Sequence, residues 1–189
     1  LSAERNAHVV NSSGALNLAV TGSTFRDTQS SVFGADGLEI VLQGSATADL
    51  DVINSSFLRN RTSGLQVLAE DTAAVSSLDI TGSTFDSEAG IGIGLDLSTN
   101  DAATMNYNLI GNPVIHSRGG TAVNSQAFAT STIQARIRDN PDIQVQSGSG
   151  IGIDFRVSDT ARGLALIDNN TVSAIEFDAG IRAFARLRP

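Results

Sequence analysis

The sequence predicts an all-β solenoid of about six coils, each 28–30 residues long. Three observations predict it. The segments LAVTGSTF (18–25), LDVINSSF (50–57) and LDITGSTF (78–85) are near-copies of one another. Each is followed, after a loop of variable length, by a phrase that opens on glycine: GLEIVL (37–42), GLQVLA (64–69) and GLDLST (94–99). Both phrases alternate apolar and polar residues with the period of a strand. Short strands repeated at this interval cannot bury their faces alone, and stacking one coil on the next closes a continuous core.

The first phrase supplies one strand per coil. Its inward positions are expected at Leu18 and Val20, Leu50 and Val52, Leu78 and Ile80, then in weaker copies at Met105 and Tyr107, Ile133 and Ala135, Leu164 and Leu166. A polar corner follows, read as GSTF, NSSF, GSTF, GNPV, NPDI and NNTV. Gly, Asn, Ser and Asp tolerate the tight or left-handed conformations of such corners. Stacked side chains there can bond from coil to coil, with Asn54, Asn140 and Asn169 as candidates. The corner ends on an apolar anchor for a short further strand: Phe25, Phe57, Phe85, Val114, Ile143 and Val172. The glycine phrase supplies the remaining strand, with inward pairs Leu38/Ile40, Leu65/Val67, Leu95/Leu97, Thr121/Val123, Ile153/Phe155 and Ile181/Ala183; AHVVN (7–11) is a degenerate earlier copy.

Composition fits a narrow aliphatic core. Hydrophobic residues make up 41% of the chain but aromatics only 5%, and there is no Trp. The absence of Cys excludes disulfides, thiolate nucleophiles and Cys-type zinc sites. A net charge of −8 argues against nucleic acid as a partner, because phosphate neutralisation dominates such binding. No run of apolar residues is long enough for a membrane span.

The pattern L-x-[IV]-x-[GN]-[SN]-x-[FVI], a loop, then G-[IL]-x-[VIL] resembles the repeat of right-handed parallel β-helix proteins, over residues 14–184. That group includes pectin-active lyases and hydrolases, alginate epimerases, phage tailspikes and the passenger domains of autotransporter adhesins. The resemblance implies a right-handed parallel β-helix. It also implies a structural or binding segment of a secreted or bacterial cell-surface protein, with carbohydrate or a host surface as the ligand. The chain starts in mid-pattern at Leu1 and stops at Pro189 after another repeat phrase, so residues 1–189 are expected to be one β-helix domain taken from a longer protein. Open coil ends invite end-to-end self-association, because unpaired strands are exposed there.

Within that family the substrate of many enzymes lies across the outer face of one sheet. The first outward column of the glycine-led strands is expected to be Glu39, Gln66, Asp96, Ala122, Asp154 and Arg182; the second, Val41, Leu68, Ser98, Asn124, Arg156 and Phe184. Glu39, Gln66, Asp96, Asp154, Arg156 and Arg182 are the candidate ligand-binding residues. Asp96, Asp154 and Arg156 form the catalytic alternative of a polysaccharide lyase or hydrolase, since such chemistry uses paired carboxylates or Asp with Arg. The plain reading of the same column is a solvated sheet face whose charges pair across the ladder.

The clustered Asp motifs of polygalacturonases, the calcium site of pectate lyases and the epimerase Tyr-Gly-x-Asp-Pro-His motif are absent. No cofactor and no metal are expected. LDLSTNDAA (95–103) has the start of a calcium loop but lacks its required Gly and terminal Glu, and reads as a polar corner. His116 reads as a strand-edge or loop residue rather than a base.

Overall fold

The computed structural model describes residues 5–28, 34–87, 92–146, 150–174 and 180–186. Among them there are nineteen strands and no helix. The strands form three parallel sheets, and consecutive strands of the chain go to different sheets. Sheet A holds seven strands, from Ala7–Asn11 at one end to Ile181–Arg186 at the other. Sheet B holds six, from Ala15–Thr21 to Arg162–Asp168, and sheet C holds six short ones, from Thr24–Arg26 to Val172–Ala174. Each turn of the chain adds one strand to each sheet, which is the expected parallel β-solenoid of about six coils.

The core is a set of vertical columns. Leu38, Leu65, Leu95, Val123 and Ile153 align in sheet A. Leu50, Leu78, Tyr107 and Ala135 align in sheet B. Phe25, Phe57 and Phe85 stack face to face in sheet C, with ring centroids 5.0 and 4.8 Å apart. That stacking distance is the strand spacing itself, so the phenyl column repeats the backbone ladder.

Two corners carry the polar structure. Between sheets B and C, Gly22, Asn54, Gly82, Gly111, Asp139 and Asn169 all take positive φ, which bends each coil the same way. The next residues, Ser55, Ser83, Asn112 and Asn140, are buried and bond upward coil by coil. Ser55 N donates to Ser83 Oγ, Ser83 N to Asn112 Oδ1, Asn112 N to Asn140 Oδ1 and Asn140 N to Asn170 Oδ1. Asn140 is therefore in the ladder as expected; Asn54 and Asn169 are bending residues beside it, and Asn169 also bonds from coil to coil, its Nδ2 donating to Asp139 Oδ1 at 2.6 Å. At the other corner Asp71, Asp101 and Asp159 take positive φ. LDLSTNDAA accordingly runs through the strand Ile93–Thr99 into this corner.

Four parts of the expected register are corrected. In sheet B, Tyr107 rather than Met105 stands opposite Leu78, because the strand Ala74–Thr81 has a bulge between Val75 and Leu78. Met105 and Ile133 occupy an extra inward rung with Val75. In the last coil Ala165 and Ile167 align with the inward Ala135 and Ile137, while Leu164 and Leu166 face out, 66% and 53% exposed. A one-residue slip exchanges the two faces of a strand. In sheet A, Val123 and Ser125, not Thr121 and Val123, align with Leu95 and Leu97. In sheet C, Ile115 rather than Val114 aligns with Phe85.

Candidate functional site

The outward face of sheet A carries an unbroken polar row. The ladder aligns His8, Glu39, Gln66, Asp96, Asn124, Asp154 and Arg182 in that order. Neighbouring rungs are about 4.8 Å apart, and like charges at that distance repel. Here an amide separates each carboxylate from the next. Asn124 fills the position expected for Ala122, because the glycine phrase of that coil is shifted by two residues.

Both amides bond the carboxylate that lies between them, Asp96. Gln66 Nε2 donates to Asp96 Oδ2 at 3.0 Å and Asn124 Nδ2 to Asp96 Oδ1 at 2.8 Å. Gln126 Nε2 in turn donates to Asn124 Oδ1 at 2.9 Å. Burial pushes the Asp96 carboxyl above the usual range, and the two amides oppose that shift.

Asp154 is only 1% exposed although it faces outward. Arg182 grips it in a two-pronged bond, Nε–Oδ1 at 2.9 Å and Nη2–Oδ2 at 2.6 Å, and Arg156 Nη2 reaches Oδ2 at 2.6 Å. Burial raises its carboxyl, with the Arg182 guanidinium pulling the other way. Asp154 and Arg156 thus meet, while Asp96 stands two rungs from Asp154, about 9.6 Å along the ladder.

Beside this cluster lies an open groove of 370 Å³ lined by Gln126, Phe128, Arg156, Ser158, Arg182 and Phe184. Phe184 is half exposed. At the other end of the row, Arg5, Gly34, Asp36, Glu39, Thr62, Gln66 and Asp96 line a second cavity of 390 Å³. Arg5 Nε stands 2.5 Å from Glu39 Oε2 as an ion pair, and His8 Nε2 is 3.2 Å from the same oxygen.

All six candidate residues therefore lie on one face: Glu39, Gln66 and Asp96 at one cavity, Asp154, Arg156 and Arg182 at or beside the other. Arg5, Asp36 and Asn124 were not among the candidates. The available signal for Asp36 was a carboxylate at a rung that the next two coils fill with Ser63 and Ile93. His116, expected at a strand edge or in a loop, lies within the strand Val114–Ser117. Its Nε2 is 2.8 Å from Asp142 Oδ2, and Gln146 Nε2 is 3.0 Å from its Nδ1.

Among the described residues no three His, Asp or Glu side chains are placed to hold a metal ion, and no helix is long and apolar enough to cross a membrane. No family model matches the chain, and neither a curated protein nor a solved structure matches it.

Proposed function

We propose that the chain is a structural and binding segment of a secreted or bacterial cell-surface protein, of the right-handed β-helix type found in adhesins and autotransporter passengers, and that sheet A lays its outward face against carbohydrate. The observation that carries this reading is the polar row from His8 to Arg182. Planar amides, carboxylates and a guanidinium are held at regular spacing by bonds among themselves, so a ligand meets them already ordered. The grooves at either end supply depth, and Phe184 offers an apolar ring face beside Arg156 and Arg182.

Affinity electrophoresis through gels containing soluble polysaccharides tests the reading. At least one polysaccharide should retard the protein, and the double substitution Gln66→Ala, Asn124→Ala should abolish the retardation. Free migration in every gel would overturn it. Polysaccharide turnover that is lost in Asp154→Ala would replace it with the lyase or hydrolase alternative.

A second partner is another copy of the same chain. The two end strands of sheet B, Ala15–Thr21 and Arg162–Asp168, are each seven residues long, and among the described residues each has a neighbour on one side only. At the same end as Arg162–Asp168, the inward residue Ile181 is 48% exposed. Head-to-tail stacking would continue the parallel ladders and cover these residues. Light scattering should show mass rising with concentration; a constant monomer mass would remove this partner.

A further inference from the structure

We propose that the cavity formed by Arg5, Asp36, Glu39, Thr62, Gln66 and Asp96 binds a primary ammonium group, carried by an amino sugar. The ammonium chemistry comes from the cavity itself; its attachment to a sugar rests on the carbohydrate reading above.

The unexplained group is Asp36. It is fully buried, and neither carboxylate oxygen has a hydrogen-bond partner. The Ser63 hydroxyl beside it is buried and unpartnered as well. Buried carboxylates are ordinarily paired or fully hydrogen-bonded, because desolvation penalises a bare charge. Burial pushes the Asp36 carboxyl up to about 6, although the Ser63 hydroxyl and backbone N–H beside it pull the other way.

Ser63 meets its need only in part, with no hydrogen bond of full geometry, and the charged neighbours are engaged elsewhere. Arg5 is turned to Glu39 through Nε and, at 3.4 Å, Nη2. Asp96 is taken up by Gln66 and Asn124. Nor can the segment turn away, because its backbone is fixed on both sides. Thr28 Oγ1 donates to the Ala35 carbonyl at 2.6 Å, Ala35 N donates to Thr62 Oγ1 at 3.1 Å, and Asn6 N donates to the Asp36 carbonyl at 3.2 Å.

With Asp36, Glu39 and Asp96 ionised against Arg5, the lining carries a formal charge of −2. The ligand is therefore a cation with hydrogens to donate. A divalent metal is disfavoured, since no three acidic or His side chains among the described residues are placed to hold one. An ammonium has three N–H donors that rotate freely to whatever acceptors are present. The cavity, at 390 Å³, is in the size range of small-molecule sites.

Calorimetric titration at about pH 7, where Asp36, pushed up to about 6, is mostly ionised and the amine of an amino sugar still mostly carries its proton, tests the assignment with glucosamine, N-acetylglucosamine and butylamine. Glucosamine should bind about tenfold or more tightly than its acetylated form, which lacks the charge. Asp36→Asn should remove most of that affinity. Arg5→Gln, which deletes the cavity's own cation, should tighten glucosamine binding, and it gives a second reading should Asp36→Asn fail to fold.

Equal binding of glucosamine and N-acetylglucosamine, or glucosamine affinity unaltered by Asp36→Asn, overturns the cavity assignment and leaves the carbohydrate reading standing. Butylamine bound through Asp36 while neither sugar binds keeps the ammonium site and sinks its sugar. Silence with all three probes, or calcium chloride binding that Asp36→Asn abolishes, overturns the proposal.

Discussion

Tyr107 and Ser125 meet across the core: Tyr107 Oη lies 2.5 Å from Ser125 Oγ, joining sheet B of one coil to sheet A of the next. Both side chains are buried. Removing the serine hydroxyl leaves the phenol with no partner in an apolar column. Ser125→Ala should therefore cost about 1–3 kcal/mol of stability. Tyr107→Phe combined with Ser125→Ala should cost less than the sum of the two single substitutions, because no polar group is then stranded. Urea denaturation of the three variants measures this; strict additivity would contradict the pairing.

Asp36 makes stability depend on pH in an unusual direction for a carboxylate. Its folded-state pKa, about 6, lies above the ordinary value of 3.8. The folded state therefore binds the proton more tightly than the unfolded chain. This contribution is fully present below about pH 4 and is lost as pH rises through about 6. At pH 8 the ionised group costs about 1–3 kcal/mol. Asp36→Asn should be more stable than the native protein at pH 8 and indistinguishable from it near pH 4, by denaturant midpoints across that range. A substitution that destabilises at both ends would show that the carboxylate is satisfied.

The ladder at the corner between sheets B and C should behave as one unit. Asn140 Nδ2 donates to the Leu109 carbonyl, the Arg138 carbonyl and Asn170 Oδ1, and its Oδ1 accepts from Asn112 N. Asn140→Ala strands two buried backbone groups at once and should cost about 2–5 kcal/mol. Asn169→Gly, at a neighbouring residue with φ of 50°, should cost less, about 1 kcal/mol or under, since glycine favours that conformation and only one exposed bond, to Asp139, is lost. Thermal denaturation of both distinguishes ladder from bend; equal losses would contradict the division of roles.

Much of this architecture was legible in the sequence, for a physical reason. Inward positions of a stacked coil are apolar in most repeats, so Leu50, Leu78, Phe57 and Phe85 announce themselves. Legibility failed where both faces of a strand are apolar. In the segment LALID (164–168) Leu164 and Leu166 point outward while Ala165 and Ile167 take the inward rungs, a register that also lets the Asn170 amide donate to the Ile137 carbonyl. A bulge in the strand Ala74–Thr81 likewise leaves no mark on composition.

The site was legible as a face and not as a set of cavities. Glu39, Gln66, Asp96, Asp154 and Arg182 share one column by alternation alone. That Asn124 completes it depends on loop length. That Asp36 is buried without a partner depends on packing that no local pattern encodes.

The most direct test of the carbohydrate-binding claim is nuclear magnetic resonance with a polysaccharide that retards the protein. The side-chain amides of Gln66 and Asn124 and the guanidinium signals of Arg156 and Arg182 should shift together on titration, with sheet B unchanged. Shifts confined to sheet B or sheet C, or none at saturating polysaccharide, would contradict the assignment of sheet A as the binding face.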